Sequence, residues 1–296
     1  MSLKVFVAVG EEQSFTAAAR RLALSPPAVT RAVSALEQTL GVKLLQRTTR
    51  IVRLTEAGAR YLRDCKRVLS ELEDADQAVS GAQVEVRGTL AITASVLFGR
   101  ALVAPLLHAF LHRHSKLNVR ALFVDRVVDL IEEGLDVAVR VAHLSDASFT
   151  AIRVGAVRNV VCASPGYLKR HGIPRTPDDL KDRSAFCFSA DRSAPAWSFQ
   201  VGKRTLSVRP NARLLVNSPE VAMQGAVAGE GLTRVLSYQA ASEVKAGRLR
   251  VILSEFEPEP IPIHVIHREG KRAAARVRAF VDFAVAELRG NPLLGS

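Results

Sequence analysis

Through the first eighty positions apolar residues recur at the three- and four-residue spacing of amphipathic helices; beyond position 88 they gather into short runs alternating with helical stretches. Leu3, Phe6 and Val7 mark a first helix, and Ser14, a good N-cap, opens a second that buries Phe15, Ala18, Ala19 and Leu22. Ser25-Pro26-Pro27 reads as another helix start, Ser capping and Pro standing where its missing N–H costs nothing. On this third helix Val29, Val33, Leu36 and Leu40 fall within one buried stripe. Pro27, Thr30, Arg31, Ser34 and Gln38 cluster opposite, and Glu37 lies on the flank. Gly41 suits the left-handed residue that ends the helix. Lys43, Arg47, Arg50 and Arg53 then alternate with Leu44, Leu45, Ile51 and Val52 as a basic hairpin. From Thr55 a long helix carries Gly58, Tyr61, Cys65, Val68, Leu72, Ala75 and Val79 at alternating spacings of three and four. Such a heptad seam pairs most simply with its copy in a second chain, the alternative being packing on its own domain.

After a polar hinge at 81–87, segments 89–93, 119–124 and 137–141 read as strands, with helices at about 98–112 and 127–133 between them. That alternation predicts a parallel sheet. A second unit of the same kind starts near 160–163, with strands near Phe186, Leu214 and Leu232 and helices after Ser218 and Ser237. The chain then returns to the first unit through 261–267 and a last helix, 273–288.

Two hundred and ninety-six residues exceed one ordinary domain, and 48% hydrophobic with 24% charged residues excludes disorder, collagen or coiled coil throughout. A net charge of +12 raises the expectation of a polyanionic partner, and eleven basic against three acidic residues between Ser14 and Arg67 concentrate it over the short helices. Three widely spaced cysteines, Cys65, Cys162 and Cys187, argue against a disulfide framework and fit a reducing compartment. The apolar run in MSLKVFVAVGEEQ is too short for a signal peptide, and Arg100 in the middle of 88–112 argues against a membrane span. A helix with one buried edge that turns short hydrogen-bonding side chains and a single Arg outward is what reading the major groove of duplex DNA needs.

The run SFTAAARRLALSPPAVTRAVSALEQTLGVKLLQRTTRIVRLTEAG resembles the winged helix-turn-helix of LysR-type transcriptional regulators, bacterial activators and repressors, and the resemblance spans residues 3–58. Within it 17–22 resembles the first helix of the motif, Leu24-Ser25 the turn, 26–40 the recognition helix and 47–53 the wing. The resemblance implies DNA contacts from Ser25, Pro26, Pro27, Thr30, Arg31, Ser34, Arg47, Arg50 and Arg53. Many members carry Gln where this chain has Pro26, so base readout is expected to shift to Pro27, Thr30, Arg31 and Ser34. It also implies that the long helix is a linker whose seam, Tyr61, Cys65, Val68, Leu72, Ala75 and Val79, builds a dimer. More loosely, residues 88–290 resemble the family's two-lobed, periplasmic-binding-protein-like α/β effector domain. The expected architecture is α/β with an N-terminal all-α winged helix-turn-helix at 1–58 and a linker helix and hinge at 59–87. The effector domain takes 88–296, with 88–160 and 267–296 in lobe I and 161–266 in lobe II. Expected partners are double-stranded DNA, a second copy in a homodimer or homotetramer, and RNA polymerase if the protein activates. The expected location is the bacterial cytoplasm, at the nucleoid and away from membranes.

Ligands of open α/β sheets sit beyond the carboxyl ends of strands, where helix N-termini present free N–H groups. Thr93, Ser95, Val96 and Phe98 mark that place. Arg140, at the end of the third strand, is suited to neutralise a small carboxylate, and the second lobe contributes from Ser164, around Ser189 and Trp197. The same Ser and Thr residues suit helix caps, and Arg140 a surface ion pair, so the region is marked more firmly than any residue. No metal or cofactor beyond the small-molecule effector is expected. His108, His112 and His114 lack a completing ligand, the glycines at 225–231 lack both the Rossmann order and the Walker Lys, and Cys162 and Cys187 sit in apolar strand-like runs that hide a thiol. With no G-x-S-x-G, H-E-x-x-H or paired carboxylates, an enzyme reading has no residues to stand on. The rivals are an effector-independent DNA-organising protein and a small-molecule enzyme with an accessory DNA module.

Overall fold

The computed structural model describes residues 2–47, 52–79, 86–144, 149–189, 193, 195–267 and 273–295. The N-terminal head packs α1 (Ser2–Glu12), α2 (Phe15–Arg21) and α3 (Pro26–Leu40) around Phe6, Val9, Ala18, Val29 and Val33. α2 and α3 begin as their caps dictate: Ser14 Oγ accepts from the Ala17 N–H at 3.2 Å and Ser25 Oγ from the Ala28 N–H at 3.4 Å. Gly41 ends α3 in the left-handed region at φ 68°. Strands β1 (Leu45–Arg47) and β2 (Val52–Leu54) pair antiparallel as the hairpin, and α4 (Glu56–Val79) leaves the head as one 24-residue helix. The apolar stripe is shorter than expected: Val29, Val33 and Leu36 are buried, whereas Leu40 is 40% exposed because the last turn of α3 runs past the edge of the small core.

Lobe I comprises β3 (Gly88–Ala94), α5 (Val96–Phe98), α6 (Ala104–Arg113), β4 (Leu117–Phe123), β5 (Val137–Val141) and β6 (Thr150–Val157). A π-helical turn, Gly99–Val103, joins α5 to α6. Lobe II follows with β7 (Asn159–Ala163), α7 (Pro165–His171), β8 (Ser184–Phe188), β9 (Trp197–Val201), β10 (Arg204–Val208), β11 (Asn211–Val216), α8 (Pro219–Val227), β12 (Leu232–Leu236), α9 (Ser237–Lys245) and β13 (Arg250–Ile252). The chain returns to lobe I through β14 (Ile261–His267) and ends on α10 (Ala275–Arg289). Strand order is β4-β3-β5-β14-β6 in the first sheet and β11-β8-β12-β7-β13 in the second.

Neither sheet is wholly parallel, contrary to expectation. In each, one strand runs against the other four: β14 in lobe I and β7 in lobe II. These are the strands that arrive from the other lobe, so they must run away from the crossing while the rest run toward it. All of β14 belongs to the first sheet and all of β7 to the second. Residues 261–266 therefore sit in lobe I and 159–160 in lobe II, which corrects the expected lobe limits. The helix expected at 127–133 is absent as well. There the Asp129 carboxylate accepts from the backbone N–H groups of Ile131 and Glu132, at 2.7 and 3.0 Å, holding a turn that competes with helix.

Candidate nucleic-acid interface and effector cleft

On α3, Pro26, Pro27 and Arg31 are exposed and Thr30 and Ser34 half-buried, on the side away from Val29 and Val33. Ser25 is exposed with its hydroxyl engaged in the cap. Arg53 is exposed on β2. Arg50, and the side chains of Arg47, Ala75 and Val79, lie outside the described residues.

The residue that joins α3 to the hairpin is Glu37, which a helical wheel leaves on the flank. Its side chain is only 2% exposed. Oε1 accepts from the Leu44 and Leu45 N–H groups at 2.9 and 3.0 Å, and Oε2 accepts from Lys43 Nζ at 2.8 Å. Burial pushes the Glu37 carboxyl up, but Lys43 and the two N–H groups outweigh it and hold the group below its ordinary value. Leu44 is a node in its own right, since its carbonyl accepts from the Thr55 N–H at 2.9 Å. Thr55 Oγ1 in turn donates to the Lys43 carbonyl and accepts from the Gly58 N–H, at 2.8 and 2.9 Å. α3, the hairpin and α4 are thus tied through 43–45.

The heptad seam of α4 divides in two. Tyr61 lies against Phe6, ring centroids 5.6 Å apart, and Cys65 is buried in the head's own core, where burial pushes its thiol up. Cys65 thus belongs to the fold of the head, which corrects its expected place on an intermolecular seam, while Tyr61 stays half-buried at the edge of that core. Among the described side chains, Val68 and Leu72, 45% and 52% exposed, are the apolar seam positions left uncovered within this chain.

In lobe I the carboxyl ends of β3, β4 and β5 all point to the crossing strands, which brings Thr93, Ser95, Val96 and Arg140 to one rim. Thr93 is fully buried, and its Oγ1 accepts from Arg140 Nη2 at 3.0 Å, while Arg140 Nη1 donates to the Val124 carbonyl at 3.1 Å. Burial holds the Arg140 guanidinium below its ordinary value against the opposing pull of Asp125 and Glu133. The helix start is already occupied from within, because the Val96 N–H donates to Asp125 Oδ1 at 2.9 Å. An incoming anion would have to displace that carboxylate.

Three expected cleft residues lie elsewhere. Phe98 is fully buried in the lobe I core, edge to face with Tyr238 at 5.4 Å. Trp197 is buried in the lobe II core with Phe199 and Leu180. Ser164 caps α7, accepting from the Tyr167 N–H at 3.2 Å, at the end of β7 farthest from the crossing, because β7 runs opposite to β12. Ser189, just past β8, is on the crossing side. Burial pushes the thiols of Cys162 and Cys187 up to about 12 and about 11. Sequence reading missed Tyr238, whose ring reaches from α9 of lobe II into the core of lobe I.

Residues 1–59 match the model for bacterial regulatory helix-turn-helix proteins of the lysR family, and residues 83–289 match the LysR substrate binding domain. An HTH-type transcriptional regulator of Xanthomonas campestris is 36% identical over 96% of this chain and 84% of its own length. The HTH-type transcriptional activator AaeR of Escherichia coli is 34% identical over 95% of this chain and 91% of its own. The solved structure of CrgA, a LysR-type transcriptional regulator from Neisseria meningitidis, superposes with a TM-score of 0.63 at 30% identity, covering 98% of both chains. The CrgA match covers the head, the long helix and both lobes alike. The chain belongs to the LysR family of bacterial transcriptional regulators.

Proposed function

We propose that two copies of this chain, or a pair of such dimers, read an inverted-repeat promoter site through α3 and alter the spacing of their heads when a small molecule enters the cleft. The carrying observation is the division of α3 into a buried edge of Val29, Val33 and Leu36 and an opposite face that shows Pro27 and Arg31 with no acid. Exposed Val68 and Leu72 on α4 support pairing of linker helices, the copies meeting beyond the head. DNA contact is assigned to Ser25, Pro26, Pro27, Thr30, Arg31 and Ser34 on and before α3 and to the wing arginines Arg47, Arg50 and Arg53, with Thr30, Arg31 and Ser34 suited to bases or phosphates alike. The cleft residues retained are Thr93, Ser95, Val96 and Arg140, and the effector acts by binding one lobe arrangement more tightly than the other. The protein works in the bacterial cytoplasm at the nucleoid, contacting RNA polymerase if it activates. No enzymatic step is assigned to it. No helix among the described residues is long and apolar enough to cross a membrane.

The test is a competition at fixed salt between an inverted-repeat promoter duplex and random duplex. Specific binding should survive excess random competitor, and equal competition would support the DNA-organising rival. Arg31→Ala should weaken specific binding by about 1–3 kcal/mol if Arg31 reads a base. A uniform loss across sequences with the salt slope reduced by about one would assign Arg31 to phosphate instead.

A further inference from the structure

Arg100 stands in the π-helical turn Gly99–Val103, just beyond the rim formed by Ser95 and Val96, and Glu220 stands in the first turn of α8, after its cap Ser218. Arg100 Nη1 donates to both carboxylate oxygens of Glu220, at 3.2 and 3.3 Å. The pair therefore ties a helix of lobe I directly to a helix of lobe II. Both helices begin at strand ends that face the crossing: α5 follows β3, and α8 follows β11, which runs parallel to β8 and β12. Other ties between the lobes sit at the crossing itself. The Arg158 N–H donates to Ser237 Oγ at 3.1 Å, Arg158 Nη1 donates to Glu257 Oε2 at 2.8 Å, and Tyr238 lies on Phe98. Arg158 and Glu257 belong to the chain segments that cross between the lobes, so their distance changes little when the lobes hinge. Arg100 and Glu220 belong to neither segment, and a hinge motion that parts α5 and α8 must break them.

We propose that Arg100 and Glu220 form an ionic latch between the two lobes, favouring the lobe arrangement in which they pair, called closed here, and releasing when the lobes hinge open. The proposal rests on reading the cleft as the effector site only for its biological meaning; the latch itself needs no ligand. Its strength is bounded by its exposure, since the two side chains are 63% and 44% accessible. An exposed pair of this kind shifts an equilibrium by about 1.5- to 5-fold, and salt screens it. Hinge closure held by so small a bias is easily reversed by a ligand with a differential affinity of the same order.

The experiment is single-molecule energy transfer in the full chain without ligand, with labels on Ser115→Cys in lobe I and Lys203→Cys in lobe II. Both positions are exposed, and the three native cysteines are buried and so protected from labelling. Glu220→Gln and Arg100→Gln should each raise the open-to-closed ratio about 1.5- to 5-fold. Arg100→Glu combined with Glu220→Arg should restore it. Raising NaCl from about 0.1 M to about 1 M should open the wild type by the same factor and leave Glu220→Gln unmoved. Unchanged distributions in the single variants, or a charge swap no closer to wild type than either one, would overturn the latch. Failure of the effector reading shows up separately, as promoter binding indifferent to every small molecule while the lobe distribution still answers to these substitutions.

Discussion

Glu37→Ala lowers the stability of the N-terminal head by about 1–3 kcal/mol for each of the two buried N–H groups it leaves without an acceptor, the exposed Lys43 ammonium being free to turn to water. The loss falls on the Leu44 and Leu45 N–H groups, which belong to buried residues and donate at 2.9 and 3.0 Å to one carboxylate oxygen. Glu37→Gln keeps an acceptor for both and costs markedly less. Urea unfolding resolves the effect because the single tryptophan, Trp197, lies in the core of lobe II. Its fluorescence follows that lobe, while far-ultraviolet dichroism also follows the head. An early helical transition should separate from an unchanged tryptophan transition. A head as stable as wild type in Glu37→Ala would mean that the hairpin is held by something else. The acid dependence has a fixed sign: a carboxyl held below its ordinary 4.5 contributes fully above that pH and loses its contribution as pH falls through the folded value. Glu37→Gln should remove that part of the head's acid sensitivity.

Gly58→Ala should destabilise the head by about 1–3 kcal/mol or more, although the same change in an open helix gains about 1 kcal/mol. A Cβ built at Gly58 falls 1.9 Å from the Leu44 carbonyl oxygen and 2.8 Å from its carbonyl carbon. Neither is a side-chain tip able to swing aside, so α4 must move off the hairpin or the hairpin off α3. Gly10 offers the contrast, since its added Cβ meets Leu62 methyl groups at 3.0 and 3.1 Å, which can shift. Thermal unfolding together with affinity for promoter DNA measures both consequences. A Gly58→Ala protein more stable than wild type, with DNA affinity intact, would show that the two elements are not wedged together as described.

What the sequence discloses here is what local chemistry decides. Ser14 and Ser25 as caps, Gly41 as a left-handed terminator, the stripe of Val29, Val33 and Leu36 and the basic hairpin all depend on neighbours within a few positions. The family likeness supplied the larger plan of head, linker and two lobes. Errors arise where a distant segment decides. Glu37 looks like a flank residue until the hairpin returns over that flank. Tyr61 and Cys65 fit a heptad, yet α1 reaches them first. Ser164 follows a strand just as Ser95 does, but the direction of β7 carries it to the far end of the sheet. Direction in a sheet is set by which strand comes next to it, often a hundred residues away, and no window of hydropathy contains that.

The interlaced topology also dictates an order of manufacture. β14 lies between β5 and β6, so β6 lacks its sheet neighbour until residues 261–267 have left the ribosome. Lobe II, inserted whole before that point, is complete in sequence while lobe I still shows two unpaired strand edges, the kind of surface on which nascent chains aggregate. A message broken between Val157 and Ile261 would therefore yield a sticky fragment rather than a smaller regulator, and its removal would fall to the cell's chaperones and proteases.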